Sequence, residues 1–205
     1  MLIIIGQEGT VLLGIQTQLT VKIKMSLNEV SSIAGADHQI IGLHNTTRRR
    51  IKMITFKQAT KEQAGLLLDF IKGLAITEGF PHELTVTESD LIENLLSPRS
   101  IAKAHLVYDN DEPCGFFVYY FTFSTTTGRK GLHLDDLYIL EDFQGKGIGT
   151  DIMKHLENLA ESNGCARFEW WCLESNKKAE GFYRELGARK LDELRVYRME
   201  TKRNQ

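Results

Sequence analysis

The stretch that decides the fold is Leu132–Thr150, LHLDDLYILEDFQGKGIGT. Its first half alternates side chains between two faces, as a strand does. Its second half sets Gly145, Gly147 and Gly149 at every other position and opens directly onto a helical pattern. A strand that ends in a glycine-rich turn at a helix start is a place to hold phosphate. The first N–H groups of a helix have no partner inside it, and glycine lets them approach an anion with no side chain in the way.

Downstream of the turn, Ile148, Ile152, Met153, Leu156, Leu159 and Ala160 fall at helical spacing, and Asn163-Gly164 supplies the stop. ARFEWWC (166–172) then reads as a strand. Because a helix joins it to the strand before the turn, the two are expected to run parallel as neighbours. A further helix is expected from about Asn176 to Leu186, stopped by Gly187, followed by short strands at 188–191 and 195–200. Trp170 and Trp171 are assigned to the core.

Upstream, Met53 begins a short strand, and Thr60 with Gln63 has the capping-box spacing before Leu66, Leu67, Phe70, Ile71 and Leu74. Gly79 and Pro81 end that helix, and a second runs from about Thr87 to Pro98. The loop between them carries Glu78 and Glu83, which read either as solvated charges or as a rim that attracts a cationic substrate. Residues 103–109 and 114–124 form a hairpin whose second arm is aromatic, including Tyr119, Tyr120 and Phe121. So many rings require both faces covered, or one face lining a pocket. The order is β, α, α, β, β, β, glycine turn, α, β, α, β, β, a mixed α/β domain without the repeated βαβ of a doubly wound sheet.

With 205 residues, 42% hydrophobic and 25% charged, the chain suffices for one domain with a core and an appendage. Residues 1–52 are expected to be that appendage, an extension that is poorly ordered or an upstream translation artefact, with 53–205 as the functional domain. The extension is basic, with Lys22, Lys24, Arg48, Arg49, Arg50 and Lys52 against Glu8, Glu29 and Asp37, so the body is more acidic than the net charge of −2 indicates. An acidic body argues against nucleic acid and suits a cationic small molecule. No run reaches the roughly 20 apolar residues of a membrane span, and no basic region precedes Met1–Ile5 as a signal peptide would require. Cys114, Cys165 and Cys172 are an odd count without C-x-x-C spacing, which fits a reducing cytoplasm and three buried small hydrophobes. His105, His133 and His155 are scattered singly, so no metal site is expected.

A Walker-type loop fails because Gly147 follows Lys146, and a dinucleotide fingerprint fails because Thr150 holds its third glycine position. Gln144-Gly145-Lys146-Gly147-Ile148-Gly149 resembles the (Arg/Gln)-x-x-Gly-x-(Gly/Ala) loop of the GNAT superfamily of acyl-CoA N-acyltransferases, and the element order is similar to that fold. The resemblance runs from about Met53 to Glu200. Within the superfamily the chain is most similar to the spermidine/spermine (diamine) and thialysine acetyltransferases. That likeness is carried by LLLDFIKGLA (66–75), GFFVYYFTF (115–123), LHLDDLYILEDFQGKGIG (132–149) and FYRELGA (182–188) with Asn176 before it.

The resemblance implies a mostly antiparallel sheet with a parallel pair at the acyl-CoA site, helices on both faces, and acetyl-CoA as co-substrate without a metal. It implies pyrophosphate held by the loop from Gln144 to Thr150, the pantetheine arm along the backbone of Leu137, Tyr138 and Ile139, and Asn176 near CoA. An alkylamine is like lysine, so about one molecule in 10³ is free base at pH 7, equivalent to roughly 4 kcal/mol. A carboxylate is needed to attract it and take its proton. Asp135 stands where the diamine acetyltransferases carry a glutamate, one methylene longer, and Asp136 matches the aspartate that follows. The shorter side chain makes a relaying water the expected route. Tyr183 aligns with the family's general acid for the departing thiolate. The acceptor site is expected at Asp135, Asp136, Glu78, Glu83 and Tyr120, with transfer by direct attack onto a small diamine, polyamine or amino-acid-like amine in a cytoplasmic homodimer. A protein or amino-acid acetyltransferase, or a non-catalytic acyl-CoA-binding module, are the alternatives.

Overall fold

The computed structural model describes residues 2–5, 10–14, 20–24, 53–80, 82, 84–199 and 201. The chain divides into two compact units, 1–50 and 51–205. The first holds strands β1 (Leu2–Ile5), β2 (Thr10–Gly14) and β3 (Thr20–Lys24), which pair antiparallel in that order. Sequence reading assigns no strands there.

The second unit is built on a five-stranded sheet in sequential order: β4 (Ile54–Gln58), β5 (Ala102–Asp109), β6 (Glu112–Ser124), β7 (Arg129–Ile139) and β8 (Arg167–Trp170). The first four pair antiparallel, and β7 pairs parallel with β8. The parallel pair follows from the helix α3 (Ile148–Ser162) between them, because a crossover that long returns the chain in the same direction. On one face lies α1 (Ala64–Glu78), whose Leu67 and Phe70 pack on Leu106, Phe116 and Val118. Gln63 Oε1 accepts the Thr60 N–H at 3.0 Å within the expected capping box. The second helix, α2 (Glu88–Asp90), continues as a π-helical turn over Leu91–Leu95, and the Thr87 hydroxyl accepts from Asp90 N–H. On the other face α3 buries Ile148, Ile152, Met153 and Leu156 on Phe117, Leu132 and Leu134, joined by Phe182 and Tyr183 of α4 (Lys177–Glu185).

Three expectations are corrected. The strands expected at 188–191 and 195–200 do not form among the described residues; Leu194, Val196, Tyr197 and Met199 are exposed. Their apolar content is strand-like, but a strand exists only with a neighbour to take its hydrogen bonds, and none of the described strands pairs with them. Trp171 is 60% exposed rather than in the core. Cys172 is exposed and Cys165 half-buried, leaving only Cys114 buried. The cause for 171 and 172 is shared: β8 ends at Trp170, and past that point the chain leaves the sheet.

Candidate active site

The site begins with a register fault. Val118 pairs with Asp136 and Tyr119 with Leu134, so Asp135 is an extra residue on β7 without a partner on β6, a β-bulge. Its effect shows in the packing. Leu132 and Leu134 face α3, and so do Leu137 and Ile139, a switch from even to odd positions that only an added residue permits. Asp135 and Asp136, which a regular strand would send to opposite faces, thereby both reach the face occupied by α1. Asp135 is exposed and acts electrostatically on Tyr120 and His133. Asp136 is withdrawn from water, and burial, helped by the negative charges of Asp135 and Glu78, pushes its carboxyl up to about 7.

Glu78 joins them from the last position of α1, where a carboxylate opposes the helix dipole. Gly79, at φ 84°, closes the helix there, and Phe80 N–H donates to Ala75 O at 2.7 Å. Burial raises the Glu78 carboxyl, and its charge is felt by Asp136, Cys172 and Tyr183 alike, so these four residues share one neighbourhood. Tyr183, half-buried on α4 with its ring 5.0 Å from Trp170, is pushed up to about 12 by burial and by the charges of Cys172 and Glu78. At neutral pH it keeps its proton and is a donor. Burial, with Glu180 and Glu78, also raises the Cys172 thiol, which keeps it protonated. Glu83 lies outside the described residues.

Below the carboxylates the sheet opens. The parallel ladder stops at Leu134↔Trp170 while β7 continues to Ile139, so the β8 side of the last residues of β7 is unpaired. Leu140 N–H donates to Cys114 O at 2.9 Å; by the alternation of an antiparallel ladder, Leu137 and Ile139 turn their backbone groups to the open side. Tyr138 turns its backbone toward β6 and packs its ring with Phe70 and Phe116. Gly73 of α1 makes room for that ring, since a Cβ there would lie 2.6 Å from the Tyr138 hydroxyl oxygen.

The three glycines of the turn divide their work. Gly145 (φ 71°) and Gly147 (φ 80°) adopt left-handed backbone, which a side chain would strain. Gly149 instead makes space, because a Cβ there would come within 3.2 Å of the Phe182 ring. The α3 N-terminus, at Ile148 to Thr150, therefore faces the gap with its first N–H groups unused by the helix. The Gln144 amide donates to Ile139 O at 2.8 Å and its carbonyl accepts from Lys178 Nζ at 2.7 Å, which joins the end of β7, the turn and α4. Asn176 caps α4, accepting from Ala179 N–H at 3.0 Å, at the same side of the gap. Lys178 is a functional candidate that sequence reasoning missed; a lysine among lysines on an amphipathic helix carries no distinguishing signal.

An open strand edge beside a glycine turn and a helix N-terminus is an arrangement suited to an acyl-CoA thioester, and comparison with known proteins gives the family. Residues 69–188 match the model of the acetyltransferase (GNAT) family. The chain belongs to that family. It is an acetyl-CoA-dependent N-acetyltransferase. The thialysine N-epsilon-acetyltransferase of Mus musculus is 30% identical over 151 residues, covering 67% of this chain and 85% of that protein. The Sus scrofa enzyme of the same name is 31% identical over 148 residues, covering 68% and 86%. An integron cassette protein from the mobile metagenome of V. cholerae has a similar structure, with TM-score 0.60, 28% identity, and 72% and 93% of the two chains covered. Family membership makes acetyl-CoA the co-substrate in general terms. Among the described residues no group of histidine, cysteine and carboxylate side chains is placed to hold a metal ion.

Proposed function

We propose that the protein transfers the acetyl group of acetyl-CoA to a primary amine of a small diamine, polyamine or amino acid by direct attack within a ternary complex. The observation that carries this reading is the bulge at Asp135, which sets two carboxylates on one face beside Glu78 and opposite Tyr183. Relatives named for thialysine and for spermidine/spermine support the acceptor class.

Acetyl-CoA, when bound, supplies the activated acetyl group. The chain's own residues do the rest. Gln144 to Thr150 offer N–H groups and a helix dipole to the pyrophosphate, with Lys178 near enough through Gln144 to add positive charge. Leu137 and Ile139 present N–H groups to the pantetheine arm and thioester carbonyl, while the Ile139 carbonyl is already taken by Gln144.

The acceptor arrives as an ammonium ion and must lose a proton. Asp135 is the residue that sequence resemblance suggests for this. The structure favours Asp136 for the proton itself, because a carboxyl near 7 is matched to the task at neutral pH, and leaves exposed Asp135 as the electrostatic anchor. Tyr183 donates a proton to the departing sulfur. Cys172, held as a neutral thiol, is a poor nucleophile, which supports direct attack over an acyl-cysteine route.

Incubation with acetyl-CoA and a panel of amines, following thiol release, tests the reading. Release with diamines and side-chain amines is expected. No release with any amine would overturn it, and parallel initial-rate plots would overturn the ternary complex.

A further inference from the structure

Further up the same face of the sheet, beyond the part that α1 covers, lies a cluster not used by the steps above. His133 on β7 is 6% exposed, and its ring sits 5.0 Å from Tyr120 on β6 and 5.0 Å from Trp171, edge-on to the latter. Its Nε2 is buried without a hydrogen-bond partner. A buried polar atom left unpaired in a packed wall is costly, and a ligand group is one partner that would remove the cost where the wall borders a substrate site. Asp135 acts on both Tyr120 and His133. Glu169 also faces His133, but its carboxylate is held by Arg167 at 2.9 Å, so the nearby positive charge is spent and Asp135 sets the sign of the cluster. Trp171, 60% exposed past the end of β8, offers a ring that nothing in the core explains.

These groups have one chemistry in common. Aromatic faces attract cations, a carboxylate attracts them more strongly, and an uncharged imidazole nitrogen accepts a hydrogen bond from an ammonium group, which has three N–H donors. Burial lowers the His133 imidazole, so it is uncharged at neutral pH. A carboxylate would meet Asp135, while Arg167 is already held by Glu169. The distance is also suitable. Because of the bulge, His133 and Asp136 stand opposite Tyr120 and Val118, only two residues apart on β6 and so roughly 7 Å of strand, a span that about four methylenes between two nitrogens bridge when the diamine lies along the strand.

We propose that Tyr120, His133 and Trp171, together with Asp135, form a second cation subsite that holds the far ammonium of a diamine while its near amine reacts beside Asp136 and Glu78. This rests on the acetyl-transfer reading and narrows it, favouring an acceptor with two ammonium groups over one with an amino-acid head. His133 and Trp171 are positioning residues in this scheme.

The test compares kcat/KM for 1,4-diaminobutane, 1-aminobutane and lysine, and in parallel measures 1,4-diaminobutane binding by calorimetry with CoA present. The wild-type protein is expected to favour the diamine over the monoamine by at least about tenfold, with lysine poorer than the diamine. His133→Phe keeps a ring but removes the nitrogen, and should bring the diamine-to-monoamine ratio within about twofold while weakening calorimetric binding; His133→Gln should restore part of it. Trp171→Leu changes an exposed residue that the fold does not need and should lower the same ratio. An unchanged ratio in both His133→Phe and Trp171→Leu, or a wild-type preference for lysine or for the monoamine, overturns the subsite. If no amine is acetylated, the acetyl-transfer reading falls alone, and calorimetry still decides the subsite: equal diamine binding by wild type and His133→Phe rejects it.

Discussion

At the scale of single residues, the chemistry depends on one carboxyl held far from its ordinary state. Asp136 rises from 3.8 to about 7 because it is buried beside Asp135 and Glu78. In the unfolded chain it ionises near its normal value, so between about pH 4 and 7 the folded state binds more protons and stability declines as pH rises, levelling off above 7. Asp136→Asn removes this cost. It should raise the melting temperature at pH 8 and leave it nearly unaltered at pH 4, a difference on the order of 2–4 kcal/mol, while lowering kcat by at least about 10². Glu78→Gln tests the origin of the shift: with one negative charge gone, the acid limb of kcat/KM should move to lower pH. Tyr183→Phe should lower kcat by about 10² to 10⁴ with little change in the KM for acetyl-CoA, and Cys172→Ser should retain activity. Loss of activity in Cys172→Ser would point back to an acyl-cysteine route.

At the scale of elements, the bulge in β7 and the early end of β8 act together. One rotates the strand's side chains so that neighbouring carboxylates share a face, and the other leaves Leu137 and the Ile139 N–H without a strand partner on the β8 side, the Ile139 carbonyl being held by Gln144. The glycine turn is then fixed in place by α4 through Phe182 against Gly149 and Lys178 on Gln144. Gly149→Ala asks the Phe182 ring to give way from 3.2 Å, and should raise the KM for acetyl-CoA several-fold in steady-state assays while the fold persists. Lys178→Ala should do the same with kcat little altered. Equal KM values in the variants and the wild type would show that the α4 contacts do not shape the cofactor site.

At the scale of the whole molecule, the unit spanning 51–205 contains its own sheet, both core clusters and every described residue of the candidate site. A chain beginning at Met53 is therefore expected to fold and to retain acetyl transfer, measured by thiol release; an inactive but folded product would assign residues 1–52 a part in the reaction. The C-terminal run leaves Leu194, Val196, Tyr197 and Met199 exposed, an apolar segment with which a second copy could pair, the homodimer that family resemblance suggests. If two copies pair through this run, truncation after Gly187 should lower the sedimenting mass from dimer to monomer, and an unchanged species would reject the pairing.

The sequence by itself determined the element order from β4 to α4, the glycine turn, the caps at Thr87 and Asn176 and the parallel pair, because each rests on local spacing or on the length of a connection. It also brought Asp135, Asp136, Tyr183 and Glu78 forward as candidates by residue type and motif. It did not order the two aspartates, because their difference comes from burial and from Glu78, which lies more than fifty residues upstream. Nor did it place Trp171 and Cys172 outside the core, or deny strands to 188–200, since apolar alternation states what a segment can pair with and not whether a partner strand is present. His133 has no sequence signal either. Its unpaired nitrogen becomes visible only when β6, β7 and the segment past β8 are brought together, because burial and hydrogen-bond satisfaction are properties of the assembled sheet.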